Sequence, residues 1–355
     1  MKALKTASLG RAEVQDTPIP SIQGHPGYVL VKNKYTGVNP SDYLFTDTDW
    51  IFVKGITVGS EFSGVVVEAD AACKRFKPGD RIAGYAFPGN PTMPNGGCHA
   101  EYCLAKGDVM LRLDDIGGAI ADEQAAGICV AVATAFIGLY RFLGLPLPGA
   151  QTQVEKAPIL IYGGSSATGM MAVQFANLSG LRVLTTCSPA NFDLVKRLGA
   201  DAAFDYHDAA KCAEEIRAAV GGGELKLIMD CIGHFGSPDI CANVIAAGGM
   251  YASVSPAPLP RDDVKVGFAA GQLALGEPAS FGEGPARKTM PADLEAFEAG
   301  TEFMKLAERL IREGKIKPPP VKVVNGLENI DKVLQELREW KVSATKYVCR
   351  VSAED

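Results

Sequence analysis

The chain has 355 residues, 47% of them hydrophobic and 21% charged, which is enough apolar material for two well-buried domains. A formal charge of −6 and the lack of any Lys/Arg run exclude a phosphate-backbone partner, so no nucleic acid is expected. The N-terminus has no apolar signal core, and the most apolar stretch, Gln124 to Tyr140, falls short of the roughly 20 apolar residues of a membrane span. That stretch reads as a buried helix, with no membrane contact and a cytoplasmic location expected.

Up to about residue 120 the chain is β-rich and dense in turns. Short runs such as "YVLVKNKY", "SGVVVEA", "DRIAGYAF" and "AEYCLA" are separated by Gly, Pro and Asn. From Pro158 the pattern alternates. "PILIY" is a strand, "ATGMMAVQFANLSG" a helix ending at Gly180, "RVLTT" a strand, "NFDLVKRLGA" a helix and "AAFDY" a strand. The helix "AAKCAEEIRAAVGGG", the strand "LKLIMDCI", the helix "DICANVIAAGG" and the strand "MYASVS" follow. Repeated βαβ units of this length imply a parallel, doubly wound sheet. The helix "EFMKLAERLIREGKI", the strand "PPVKVV", the helix "LENIDKVLQELREW" and the strand "KYVCRV" are too few to stand alone. They are expected to return to the first domain, and "QLALGEPASFGEG" (272–284) reads as a surface loop.

Nine cysteines and four histidines are scattered, with no C-x-x-C pair and no metal-ligand spacing, as suits reduced thiols. Cys231, inside an apolar strand, reads as a core residue.

The chemistry starts at "IYGGSSATG". A glycine-rich turn after a buried strand and before a helix lets backbone N–H groups approach a pyrophosphate at the helix N-terminus. The loop departs from G-x-G-x-x-G, but its context marks a dinucleotide site formed by Gly163, Gly164, Ser165, Ser166, Ala167 and Thr168. About 20 residues on, where NAD sites usually carry an acid, stand Cys187, Ser188, Pro189, Ala190 and Asn191. Without a carboxylate there, NADPH/NADP is the expected cofactor. Ser188 and Asn191 would donate to a 2′-phosphate, Pro189 and Ala190 would complete the turn, and Tyr206 would close over it. Capping of the following helix is the alternative role for Ser188 and Asn191.

The frames "GVNPSD" (37–42), "VGSEFSGVV" (58–66), "FKPGDRI" (76–82), "GGCHAEY" (96–102), "ATA" near 133 and the nucleotide loop stand in one order along the chain. In that order the chain resembles the medium-chain dehydrogenase/reductase superfamily over essentially its whole length. Within it, the zinc-independent quinone and enoyl reductase branch is most similar. "YGGSSAT", "TCSPANFDLVKRLGA", "FDY", "LGLPLP" and "FGEG" read like fungal trans-acting enoyl reductases of polyketide biosynthesis. The resemblance implies an α/β protein with a GroES-like β-rich catalytic domain (1–125 and 295–355) and a doubly wound parallel Rossmann cofactor domain (126–294).

Zinc members of the superfamily have Cys where Asn39 stands and His where Ser60 stands, and carry a four-cysteine lobe where this chain has only Cys98 and Cys103. No metal is therefore expected. The resemblance implies that Asn39, Pro40, Ser41 and Asp42 border the nicotinamide, with Ser253, Val254 and Ser343 also on the cofactor. It places Thr134 against nicotinamide or substrate carbonyl, and Ala131, Val132, Ala133, Ala135, Phe136, Ile137, Gly138, Leu273, Leu275 and Gly276 along the substrate. Relatives often carry a Tyr or Lys two places after the aspartate of "NPSD". Here that place is Leu44, and Tyr43, one place off, is either an acid or a packing residue; water or the cofactor ribose is the other proton source.

Without a metal to polarise an alcohol or ketone, the acceptor must already be activated, as an α,β-unsaturated acyl thioester is. The implied function is an NADPH-dependent enoyl reductase acting in trans with a polyketide synthase or its acyl carrier domain. A freestanding NADPH quinone or enone reductase and a non-catalytic NADPH-binding protein are the alternatives.

Overall fold

Residues 131–271 form one compact unit, and 1–130 together with 272–355 form another. The computed structural model describes residues 1–88, 93, 95–149, 156–256, 258–281, 285 and 287–351.

The 131–271 unit is built on six parallel strands in the order Ala202–Phe204, Arg182–Thr186, Pro158–Tyr162, Leu227–Asp230, Met250–Ser253, Lys265–Phe268. That is the 3-2-1-4-5-6 order of a Rossmann sheet. Its direction of growth reverses between Pro158–Tyr162 and Leu227–Asp230, which pair directly. Ile159, Leu160 and Ile161 are fully buried, which explains why the strand is apolar throughout rather than alternating. Each buried side chain of this size contributes about 1.5–3 kcal/mol. The helix Ala167–Leu178 buries Gly169 to Ala176 without a break. The sixth strand was not expected from the sequence, since four residues containing Lys265 and Gly267 make a faint strand signal.

The other unit carries a seven-stranded sheet. Its longest path runs Val321–Asn325, Lys346–Arg350, Tyr28–Gly37, Glu61–Ala69, Arg81–Tyr85, Leu111–Arg112, and Tyr102–Lys106 pairs with Tyr28–Gly37. The C-terminal strand thus lies antiparallel to one from the N-terminal part of the chain, with Val348 opposite Gly37. A hairpin of Lys2–Ser8 and Arg11–Asp16, also absent from the sequence reading, joins this unit.

The unit boundaries fall at 130/131 and 271/272 instead of 125/126 and 294/295. Residues 272–294 belong with the β-rich unit because the segment has its own buried apolar side chains and is not a bare surface loop. Ala274, Leu275 and Ala279 are buried there, and Ala279–Phe281 pairs antiparallel with Lys288–Met290. Of the "FGEG" stretch, residues 282–284 lie outside the described residues.

The apolar stretch of the sequence lies in a helix, Asp122–Phe142, that is long and apolar enough by composition to cross a membrane. Of its most apolar window, 78% is buried inside the protein, as in a core helix. Its last part, Phe136–Phe142, widens into a π-helix, with Leu143 N–H donating to Gly138 O at 3.0 Å.

Candidate active site

In the 131–271 unit the glycine loop stands at the C-terminal end of Pro158–Tyr162, beside the reversal point where such sheets bind ligands. Gly163 has φ +79°, which a side chain rarely adopts, and its N–H donates to Thr186 Oγ1 at 3.0 Å. A Cβ on Gly164 would overlap the Thr185 hydroxyl, and one on Gly169 would overlap Gly163 O. The loop therefore packs on Thr185 and on its own backbone closely enough that only glycine fits at 164 and 169. Ser166 caps the helix by accepting from Gly169 N at 3.0 Å. The described residues supply no acceptor for the first-turn N–H groups of Ala167 and Thr168. These features fit the pyrophosphate of a dinucleotide. Ser165, in the same turn, is half-buried.

At the end of Arg182–Thr186, Ser188 and Asn191 make no side-chain cap hydrogen bond to the helix Phe192–Arg197, so the capping alternative is not what the structure contains. Ser188 Oγ lies 3.4 Å from Tyr206 OH. The Tyr206 ring stacks on His207 with centroids 4.4 Å apart and is 38% exposed. Pro189 and Ala190 form the turn between them. The nearby acid, Asp205, is turned to His207, accepting its N–H at 3.1 Å.

At the end of the fifth strand Ser253 Oγ accepts from Ser255 N at 3.1 Å, and Val254 N–H donates to Asp230 O at 3.1 Å. Asp230 ties the reversal point together, accepting from Gly233 N at 2.9 Å, Ser237 Oγ at 2.6 Å and Tyr251 OH at 2.7 Å. Cys231 beside it is buried, and burial pushes its thiol well above the ordinary range. A thiol so held is no nucleophile.

Every residue from Ala131 to Gly138, Thr134 among them, is buried. Gly271 packs on Thr134, where an added Cβ would stand 3.0 Å from the Thr134 hydroxyl. Gly138 faces Met229, whose methyl would lie 2.9 Å from an added Cβ.

In the β-rich unit, Asn39 precedes the helix Pro40–Asp47, which begins with a capping box: Asn39 N–H donates to Asp42 Oδ2 at 2.8 Å. Around it lies a buried polar network. Ser60 Oγ donates to Asp42 Oδ1 at 3.0 Å, and Ser41 Oγ lies 3.4 Å from Ser60 Oγ. His99 bridges Asp42 Oδ2 at 3.1 Å and Thr36 Oγ1 at 2.8 Å. Asn39 Nδ2 donates to Glu61 Oε1 at 3.0 Å, while Lys346 Nζ reaches both Asn39 Oδ1 at 2.5 Å and Glu61 Oε1 at 2.6 Å. Glu61 Oε2 accepts Val130 N–H at 2.9 Å. Thr36, Asp42, Ser60, Glu61 and His99 are fully buried, and Asn39 and Lys346 nearly so. The positions that hold metal ligands in zinc relatives are spent on hydrogen bonds here. Among the described residues no group of three or more His, Cys, Asp or Glu has a metal-holding arrangement.

Thr36, Glu61, His99 and Lys346 were not singled out in the sequence. Glu61 and His99 stand inside quoted frames; Lys346 lies 307 residues from Asn39 and carries no local signal.

The other expected residues of this unit are dispersed. The Tyr43 ring lies 5.8 Å from the Arg338 guanidinium, where the helices Pro40–Asp47 and Ile330–Arg338 meet. Burial, then the Asp47 carboxylate, raises its phenol above the ordinary value, which makes it a poorer acid. Ser343 is exposed on the stretch before Lys346–Arg350. Leu275 and Gly276 are buried, and Leu273 half-buried, at the start of the 272–290 segment. Gly276 has φ +67° and an added Cβ would meet Phe297.

A parallel six-stranded sheet with a glycine-rich loop at its reversal point, joined to a β-rich unit closed by both ends of the chain, defines a two-domain nucleotide-dependent oxidoreductase. Residues 25–115 match the alcohol dehydrogenase GroES-like domain and residues 167–283 the zinc-binding dehydrogenase domain. The chain belongs to the medium-chain dehydrogenase/reductase superfamily, whose members use a nicotinamide cofactor. It is 40% identical over 354 residues to the trans-enoyl reductase ACTTS2 of Alternaria alternata, covering 99% of this chain and 98% of that one. With the trans-enoyl reductase resD of Aspergillus sclerotiorum it shares 35% identity over 370 residues, covering 99% of this chain and all of that one. Among solved structures, a putative zinc-dependent alcohol dehydrogenase from Rhizobium etli CFN 42 superposes with a TM-score of 0.76 at 20% identity. That match covers 100% of this chain and 99% of the other, and the likeness is one of fold.

Proposed function

We propose that the chain is an NADPH-dependent, metal-independent enoyl reductase that reduces an α,β-unsaturated polyketide acyl thioester in trans with a polyketide synthase. The observation that carries this reading is the network in which Asn39 and Ser60, the two former metal positions, are bound to Glu61, Lys346 and Asp42. A Lewis acid has no donor set to bind there. The names of the relatives, trans-enoyl reductases aligned over nearly the whole chain, support the substrate class and the synthase partner.

Bound in the glycine cradle, the dinucleotide supplies a hydride, and a conjugated carbon–carbon double bond is an acceptor that needs no metal. The chain's own share is binding and orientation. Gly163, Gly164, Ser165, Ser166, Ala167 and Thr168 hold the pyrophosphate. Ser188, Pro189, Ala190, Asn191 and Tyr206 hold the 2′-phosphate, and Ser253, Val254 and Ser343 contact the rest of the cofactor. Asn39, Pro40, Ser41 and Asp42, fixed by the buried network, border the nicotinamide. The Thr134 hydroxyl orients the carbonyl, and the residues assigned to the substrate are Ala131, Val132, Ala133, Ala135, Phe136, Ile137 and Gly138 of one unit and Leu273, Leu275 and Gly276 of the other. With Tyr43 packed against Arg338 and its phenol raised above the ordinary value, water or the cofactor ribose is the source of the α-carbon proton.

NADPH oxidation measured side by side with an enoyl thioester, a quinone and a small enone, all in chelating buffer, tests the reading. Fastest turnover of the thioester at a rate the chelator does not change is the expected result. Quinone turnover with no thioester reduction would identify a freestanding quinone reductase, and one zinc per chain with chelator-sensitive activity would end the metal-free reading.

Cofactor choice is tested by Ser188→Asp. A carboxylate beside a 2′-phosphate sets like charges together, so NADPH affinity is expected to fall about tenfold or more and NADH affinity much less. Equal binding of both cofactors by the unmodified protein would refute the NADPH assignment.

A further inference from the structure

The strand Arg182–Thr186 ends without an acid, yet its neighbour brings one to the same place. Ala202–Phe204 lies parallel to it with Phe204 opposite Thr186, so Asp205, Tyr206 and His207 leave the sheet beside the turn 187–191. Cys187 N–H donates to Phe204 O at 3.1 Å, and Ser188 Oγ lies 3.4 Å from Tyr206 OH. The Asp205 charge reaches this turn: burial first, then the Asp205 carboxylate, push the Cys187 thiol up to about 11. Left alone, that carboxylate would repel a phosphate carried on the ribose, as the acid of an NAD site does.

Asp205 is not left alone. His207 donates to it twice, from ring Nδ1 and, at 3.1 Å, from its backbone N–H, and these bonds hold the carboxyl below the usual carboxylate range. The imidazole lies on the Tyr206 ring, with centroids 4.4 Å apart and planes 21° from parallel. The side chain that pairs with the acid thus also braces the tyrosine beside Ser188. Both members of the pair are open to solvent, with side chains 59% and 42% exposed, so His207 can exchange its proton with water. Around them stand Cys187 and Tyr206, together with Asp208, Lys211, Cys212 and Glu215 of the helix Ala209–Val220 and its cap. Asp208 is taken up by the cap, accepting Lys211 N–H at 3.1 Å, and Lys211 Nζ lies 3.9 Å from Glu215 Oε1. Among these residue types, histidine is the one that changes charge between about pH 5 and 8.

We propose that the Asp205–His207 pair tunes the choice of NADPH over NADH: the protonated imidazole offsets the carboxylate beside the 2′-phosphate turn, and loss of that proton sets the turn against the phosphate. The inference rests on the NADPH assignment and deepens it. The pair carries no net charge with His207 protonated and one negative charge without. Affinity for NADPH relative to NADH is therefore greatest at low pH and falls as pH rises through the histidine range. Because both groups are exposed, the effect is about three- to fivefold at low ionic strength and shrinks with added salt.

The test measures by calorimetry the affinities of adenosine 2′,5′-bisphosphate and adenosine 5′-phosphate, which differ only in the 2′-phosphate, at about pH 6 and about pH 8.5 in low salt. The ratio of the two affinities is read for the unmodified protein, His207→Gln, His207→Lys, Asp205→Asn and the double variant His207→Gln/Asp205→Asn. Titration of the ligands' own phosphates is common to all of them, so His207→Gln supplies the baseline. Against it, the unmodified protein should favour the bisphosphate about three- to fivefold more at the lower pH and no more at the higher. His207→Lys should keep that advantage at both pH values, and Asp205→Asn should raise the ratio above that of the unmodified protein at both. The double variant, neutral without a proton, should match the unmodified protein at the lower pH. If His207→Gln weakens both ligands by one factor, or lowers the ratio equally at both pH values, His207 only supports the turn and the proposal is overturned. A preference for the bisphosphate that no variant changes would keep the NADPH assignment and remove the charge pair. Tighter binding of the monophosphate, with the His207-dependent pH shift still present, would remove the assignment and keep the pair.

Discussion

Lys346→Met is expected to destabilise the protein by about 3–5 kcal/mol, the usual cost of leaving a buried charge without its partner. The Glu61 side chain is 1% exposed and that of Lys346 5%, with their charged atoms 2.6 Å apart. Removing the ammonium strands a carboxylate that water cannot reach, and the Asn39 carbonyl loses its donor as well. The double variant Lys346→Met/Glu61→Gln should recover part of the loss, since no net charge then stays buried, although the Gln carbonyl can replace only one of the two Glu61 oxygens that accept from Asn39 and Val130. Denaturant unfolding reads both. A single variant within about 0.5 kcal/mol of the unmodified protein, the range of ordinary surface changes, would mean the pair is solvated in solution.

Gly164→Ala is expected to weaken dinucleotide binding by about ten- to a hundredfold. The added methyl has no room beside the Thr185 hydroxyl, which is itself held by donation to Ile161 O at 2.6 Å. Overpacking of this kind costs about 1–3 kcal/mol, and here the strain falls on the loop that must lie flat against the pyrophosphate. Thr185→Ala in the same chain removes the obstructing group, so the double variant should bind the cofactor more tightly than Gly164→Ala alone. NADPH fluorescence titration measures both. Undiminished binding by the single variant would show that the loop is not the pyrophosphate cradle.

The Rossmann half was legible because its signals are local. "PILIY" is apolar at every position since both faces of the strand are covered, and the glycine turn, the Ser166 cap and the following helix lie within a few residues of one another. Lys265–Phe268 escaped because its place in the sheet comes from pairing with Met250–Ser253, not from its own pattern. The segment after Gly271 looked like a loop since its apolar residues are few and spaced by Gly and Pro; what folds it is the anchor at Tyr28 and Lys106. The same divide runs through the site. Asn39 and Ser60 stood out as replacements inside a known frame, whereas Lys346, which neutralises the carboxylate between them, is brought to them only by strand pairing across the length of the chain.

The discontinuous β-rich unit fixes an order of assembly. Residues 131–271 are one continuous run, so their parallel sheet can close during synthesis before Gln272 has been made. The seven-stranded sheet cannot, because Tyr28–Gly37 waits for Lys346–Arg350 as its neighbour. Until that strand arrives, one edge of Tyr28–Gly37 stays open beyond the reach of Tyr102–Lys106, and Glu61 lies next to it with no counter-charge. Loop-closure entropy over this separation must be met before these contacts form, so closure of this sheet is expected to be the slower stage of folding. A ribosome stalled between the two halves would therefore present a finished nucleotide fold beside an unfinished sheet.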